Sequence, residues 1–153
     1  MLAVRKEMLE QSYIQQQEAP LILIADDSQM VCLILEFTLR RAGYNVRSFA
    51  DGFSMLRWLH DGGPVPRLIF LDLIMPRMDG YQVARWLRKQ PTFDNTKLVM
   101  HSRCNGILER LKGRLAGVQA WISKPSTTQE ILYMAWRYCM EVSPKKCEER
   151  RTS

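Results

Sequence analysis

Leu68-Ile69-Phe70-Leu71-Asp72-Leu73-Ile74-Met75-Pro76-Arg77-Met78-Asp79-Gly80 is the stretch whose reading decides the fold. Its first four residues are apolar without alternation, the mark of a strand covered on both faces rather than one. The run stops at a carboxylate, Asp72. Pro76 and Gly80 then impose a loop, and a helix is predicted from about Asp79 to Lys89, limited by Pro91. A strand buried on both sides and followed by a helix is the building unit of a parallel sheet.

Four further apolar runs surround this one. Leu21–Ala25 ends in Asp26-Asp27, and Ser28 is placed to cap a helix carrying Val31, Ile34, Leu35 and Leu39 on one face, with Gly43 at its C′ position. Tyr44–Phe49 is a second strand. Asp51 caps a helix with Phe53, Leu56 and Leu59 on its inner side, closed by Gly62-Gly63-Pro64. Lys97–Ser102 is the fourth strand. A weaker helix follows, interrupted by Gly106 and Gly113, with Ile107, Leu108, Leu111 and Leu115 as its apolar stripe. Val118–Ser123 is the fifth strand, and the capping box Thr127-x-x-Glu130 opens a last helix burying Ile131, Met134, Ala135 and Tyr138. The expectation is an α/β fold, a doubly wound five-stranded parallel sheet with five helices, over residues 20–142. Residues 1–19 form an extension, flexible or partly helical, and residues 143–153 a polar basic tail too short for an effector domain.

Composition limits the function classes. At 46% hydrophobic and 25% charged the 153-residue chain is globular, not disordered. No apolar run approaches the roughly 18 residues that span a bilayer, and Met1–Glu18 has no apolar signal region. A cytoplasmic location is expected. Cys32, Cys104, Cys139 and Cys147 are scattered without a C-x-x-C pair, so reduced thiols are expected rather than a zinc or disulfide framework. The net charge of +6 sits mostly on residues 21–142, and on its own it suits nucleic acid, an acidic membrane or an acidic protein equally.

In a doubly wound sheet, functional groups gather at the C-terminal strand ends. Here those ends carry Asp26-Asp27, Asp72, Ser102 and Lys124. Clustered carboxylates repel unless a cation compensates, and their oxygens suit Mg²⁺. A carboxylate can also take up a phosphoryl group as a nucleophile. A hydroxyl and an ammonium nearby would bind the phosphoryl oxygens. His60 and His101 lack a ligand-like pattern, and alternation along the fourth strand turns His101 away from Ser102.

Four motifs in order, L-I-L-I-A-D-D-S (21–28), L-D-L-I-M-P-R-M-D-G (71–80), V-M-H-S (99–102) and W-I-S-K-P (121–125), make the chain resemble a response-regulator receiver domain of two-component signalling. The likeness is to stand-alone chemotaxis and twitching-motility regulators. It implies a flavodoxin-like sheet of order 2-1-3-4-5, for which the chemotaxis regulator is a standard example. It implies Asp72 as phosphoacceptor and Mg²⁺ held by Asp26 (through water), Asp27, Asp72 and the Ile74 backbone carbonyl. Ser102 and Lys124 correspond to the phosphoryl-binding switch pair and Trp121 to the switch aromatic. Lys124-Pro125 is expected to be cis. The implied partners are a histidine kinase or phosphotransfer domain as donor, and a downstream protein bound through the face of the fourth helix, fifth strand and fifth helix. The chemistry is self-phosphorylation and self-dephosphorylation in the service of binding, not enzymatic turnover of a metabolite.

Two departures from that pattern stand out. Arg103 replaces the small residue that usually follows the switch hydroxyl, where it would modulate access to Asp72. Ile74 is apolar where a polar side chain often positions the attacking water. Three other readings compete with this one. A haloacid-dehalogenase-like phosphatase wants a second aspartate where Ile74 stands. A phosphorylation-independent adaptor would keep only the fold. A nucleic-acid binder would use Arg103, Arg110, Lys112, Arg114, Arg137 and the tail, but no DNA-reading module is present, so nucleic acid is not the expected partner.

Overall fold

The computed structural model describes residues 1–140, without the side chains of 14–18. The boundary at residue 142, the basic tail and Cys147 lie outside the described residues. Five strands, β1 (Leu21–Ala25), β2 (Asn45–Phe49), β3 (Leu68–Leu71), β4 (Lys97–Ser102) and β5 (Ala120–Ser123), pair in parallel in the order β2-β1-β3-β4-β5. All four residues of β3 are buried, as its unbroken apolar run demands. Successive strand residues point to opposite faces, so the sheet separates two cores. Ile22, Ile24, Phe70 and Val99 meet helices α2 (Gln29–Arg41) and α6 (Thr128–Met140). Leu23, Ile69, Leu71, Leu98 and Met100 meet α3 (Gly52–His60), α4 (Gly80–Arg88) and α5 (Ile107–Ala116).

The helix starts follow local chemistry. Ser28 Oγ accepts from the Val31 N–H, and Asp51 from the Ser54 N–H. Asp79 and Gln82 form a reciprocal capping box, as do Thr127 and Glu130. Gly43 closes α2 at φ +95°, a conformation that other residues enter at a steric cost.

Of the two forms expected for residues 1–19, the structure has the helical one, α1 over Leu2–Glu18. Its sequence is rich in strong helix formers and free of glycine and proline up to Pro20, so propensity outweighs the missing apolar face. On α2 and α3, Ile34 and Phe53 face solvent, and Cys32 and Met55 take the inner positions instead. The largest correction concerns α5, which buries Gly113 and Ala116 rather than its aliphatic stripe. Ile107 is 88% exposed and Leu115 81%, with Leu108 and Leu111 also outward.

Candidate functional site

Register brings the carboxylates together. Ala25 pairs with Leu71, and the Asp72 N–H donates to the Ala25 carbonyl at 2.9 Å, so the residues after β1 and β3 emerge side by side. One carboxylate oxygen each from Asp26, Asp27 and Asp72 lies within 4.8 Å of the others. Asp26 and Asp72 are buried and Asp27 is exposed, which leaves the cluster open on one side.

Lys124, delivered by the end of β5, neutralises part of this charge. Its Nζ lies 2.5 Å from Asp26 and 3.3 Å from Asp72. Three carboxylates against one ammonium leave two negative charges. Burial, and then repulsion by Asp26, push the Asp72 carboxyl above its ordinary range, with Lys124 opposing both. Hard oxygen donors with a residual double negative charge fit a divalent cation such as Mg²⁺ or Mn²⁺. The Lys124-Pro125 peptide is cis, and the Lys124 N–H donates to the Ser102 carbonyl at 3.0 Å.

The loop after Asp72 is held from beneath. The Gly80 N–H donates to the Leu73 carbonyl at 2.8 Å, and a Cβ on Gly80 would lie 2.5 Å from the Asp72 carbonyl oxygen. Gly80 is therefore required by close approach, a constraint that the Asp79-Gly80 helix start does not reveal. Ile74 presents its side chain to solvent at 65% exposure beside the cluster.

Ser102 is buried at the end of β4, and its Oγ accepts from the Cys104 N–H at 3.2 Å. Arg103 is exposed and shares with Lys124 and His101 the lining of an otherwise largely apolar cavity of about 610 Å³. His101 is buried, and its Nε2 lies 2.9 Å from Ser126 Oγ. Burial, reinforced by Lys124, lowers its pKa to about 4, so the ring is neutral at ordinary pH. Trp121, opposite Met100 on β5, is half-buried against the α3/α4/α5 core. Its Nε1 is buried with no hydrogen-bond partner among the described residues. An unpaired group of this kind costs roughly 1–3 kcal/mol.

Sequence reasoning missed the Lys124–Asp26 pair, the Cys104–Ser102 bond and the His101–Ser126 contact. Each joins different elements or a loop and a strand end, and only the Ser-Lys-Pro motif hinted at any of them.

A parallel 2-1-3-4-5 sheet with three carboxylates and a lysine at its C-terminal edge is the frame of a phosphorylatable aspartate pocket. The chain belongs to the response regulator receiver domain family of two-component signalling, which it matches over residues 22–135. It is 32% identical over 118 residues to Protein PilG of Pseudomonas aeruginosa, covering 77% of this chain and 86% of that protein. It is 34% identical over 110 residues to the probable transcriptional regulator ycf27 of Galdieria sulphuraria, 72% of this chain but 41% of that protein, so it spans less than half of that relative. The Vibrio cholerae chemotaxis protein CheY4 superposes with a TM-score of 0.74 at 26% identity, covering 78% of this chain and 98% of that one. No described helix is long and apolar enough to cross a membrane.

Proposed function

We propose that Asp72 accepts a phosphoryl group from the phosphohistidine of a histidine kinase or phosphotransfer domain, and that the acyl phosphate switches a protein-binding face formed by α5, β5 and α6. A carboxylate oxygen of Asp72 attacks phosphorus, a P–O bond forms, the P–N bond breaks, and the departing imidazole keeps the electron pair and takes up a proton. Asp26, Asp27, Asp72 and the Ile74 carbonyl would hold Mg²⁺, which when bound supplies positive charge to the phosphoryl oxygens. Lys124 stabilises the same charge from the other side. Ser102 turns its hydroxyl toward the phosphoryl group and gives up the Cys104 amide. The observation that carries this reading is the convergence of Asp26, Asp27 and Asp72 on one open cluster bridged by Lys124.

The outward stripe of α5 supports a protein target. Ile107, Leu108, Leu111 and Leu115 are all exposed beside Arg110, Lys112 and Arg114. An aliphatic patch flanked by cations suits an apolar surface with acidic edges better than it suits a phosphate backbone. Charge reversal at Arg110 and Arg114 should weaken target binding, and raised salt should do the same. Binding that is indifferent to both would remove this face from the proposal.

Incubation with acetyl phosphate and Mg²⁺, read by intact mass, tests the chemistry. One phosphoryl group is expected on the wild type and none on Asp72→Asn, while Asp27→Ala should lose Mg²⁺ binding. Asp72 also gives a pH signature. A carboxyl whose folded pKa is raised destabilises the fold once ionised, so Asp72→Asn should be more stable at pH 7 without Mg²⁺. The gain should vanish below the ordinary carboxyl value of 3.8. An unmodified wild type under saturating donor would leave only the adaptor reading.

A further inference from the structure

We infer that Gly113 is a positioning residue of the switch: the missing side chain on α5 is what allows the Trp121 ring to lodge beneath that helix. This deepens the proposed phosphorylation switch and rests on that reading. A Cβ on Gly113 would come within 2.8 Å of the Trp121 ring, at Cζ3, and 3.7 Å from Val118. No real Cβ tolerates the first distance, so one neighbour must yield. The ring edge of a half-buried tryptophan is the part able to do so, whereas Val118 is already at ordinary contact distance.

The rest of α5 explains why this contact carries weight. Its large residues point to solvent, and its buried positions are only Gly113 and Ala116. Its N-cap, Gly106, offers no side chain to the first turn. Apart from these small residues, the helix is tied at its C-cap by the Arg88 guanidinium donating to the Gly117 carbonyl at 2.9 and 3.2 Å, by the Tyr81 hydroxyl donating to the Glu109 carbonyl at 3.0 Å, and by bonds at its entry. Asn105 Nδ2 donates to Ser123 Oγ at 2.6 Å, and Arg110 Nε to the Asn105 carbonyl at 3.2 Å. The entry loop is in turn held by the Cys104 N–H on Ser102 Oγ.

A continuous path therefore runs from the proposed switch hydroxyl to the ring. When Ser102 turns to a phosphoryl group, the Cys104 amide is released, the entry to α5 loosens, and Gly113 lifts from Trp121. The buried, unpartnered Trp121 Nε1 gains a route to a hydrogen-bond acceptor by the same movement. The arrangement with the ring under Gly113 is the resting one. A methyl at position 113 disfavours that arrangement, and by linkage it must favour phosphorylation.

The experiment uses the full chain labelled with 5-fluorotryptophan, its four indoles assigned by single Trp→Phe variants and followed by ¹⁹F NMR. Acetyl phosphate with Mg²⁺ should move the Trp121 resonance. In unphosphorylated Gly113→Ala it should already lie part-way toward that position, and the phosphorylation rate should rise about fivefold, in proportion to the larger population of the phosphorylation-competent arrangement. Gly113→Ala in a Trp121→Phe background should phosphorylate at the rate of Trp121→Phe alone, because the smaller ring leaves the methyl nothing to displace. Trp121 unmoved by Gly113→Ala, or a rate change that persists in the Trp121→Phe background, overturns the inference. So does a phosphorylated wild type with an unshifted Trp121, which would leave the phosphoacceptor reading standing. No phosphoryl gain by intact mass overturns both.

Discussion

Helices α4 and α5 lie side by side on one face of the sheet and are tied by the Tyr81–Glu109 bond, yet they are built on opposite terms. The first opens with a reciprocal capping box and buries Val83, Ala84 and Leu87 completely. The second has a bare glycine N-cap, buries two small residues and shows four aliphatic side chains to water. The α4 side carries the loop after Asp72, and the α5 side follows Ser102. On the proposed switch the first holds the carboxylates at fixed spacing and the second changes position. The uneven burial of the two helices supports that division, since a segment with few buried apolar contacts opens first.

The comparison is broken most directly by paired truncations. Leu87→Ala should cost about 2–5 kcal/mol in urea unfolding, as a fully buried leucine does. Leu115→Ala, on the exposed stripe, should stay within about 0.5 kcal/mol. Comparable losses at the two sites would mean that α5 is packed as firmly as α4.

The rigid part extends along β4 through His101, which acid can probe. Its folded pKa of about 4 lies below the ordinary 6.5, so the unfolded chain takes up the proton first. Its contribution is complete above pH 6.5 and is lost as the pH falls toward 4, by up to about 3 kcal/mol. Burial lowers this pKa most and Lys124 lowers it further, while Asp26 and Glu130 raise it. His101→Gln should flatten the stability profile across that window, and an unchanged acid slope would show that the ring is not held neutral.

The capping difference sharpens the comparison at the smallest scale. Asp79→Ala should destabilise by about 1 kcal/mol, measured by thermal unfolding. Gly106→Ser, which supplies the cap that α5 lacks, should gain a few tenths of a kcal/mol and slow amide exchange in residues 107–112. Exchange already as slow there as in α4 would contradict the division between the two helices.

Much of this architecture was readable before any coordinates. The unbroken run Leu68–Leu71, the alternation of strands and helices, and the caps at Ser28, Asp51 and Thr127 depend on neighbours in the chain. The meeting of Asp26, Asp27, Asp72 and Lys124 at one edge was readable for a related reason, because motifs at strand ends are carried there by the topology itself. The facing of α5 was not. Ile107, Leu108, Leu111 and Leu115 recur at helical spacing, and spacing reports that a stripe exists without saying which side the sheet lies on.

By itself, then, the sequence determined the parallel α/β fold, the receiver-type motifs and the carboxylates, hydroxyl and lysine available to them. Only the tertiary structure decided that Lys124 bridges Asp26 as well as Asp72, that Gly80 must be bare beneath Asp72, and that α5 docks on Trp121 through Gly113 while its leucines face outward. The physical reason is that these depend on distances between segments remote in the chain. A two-dimensional pattern of apolar and polar positions does not contain those distances, and close packing against a large ring selects the small residues of a helix over its large ones.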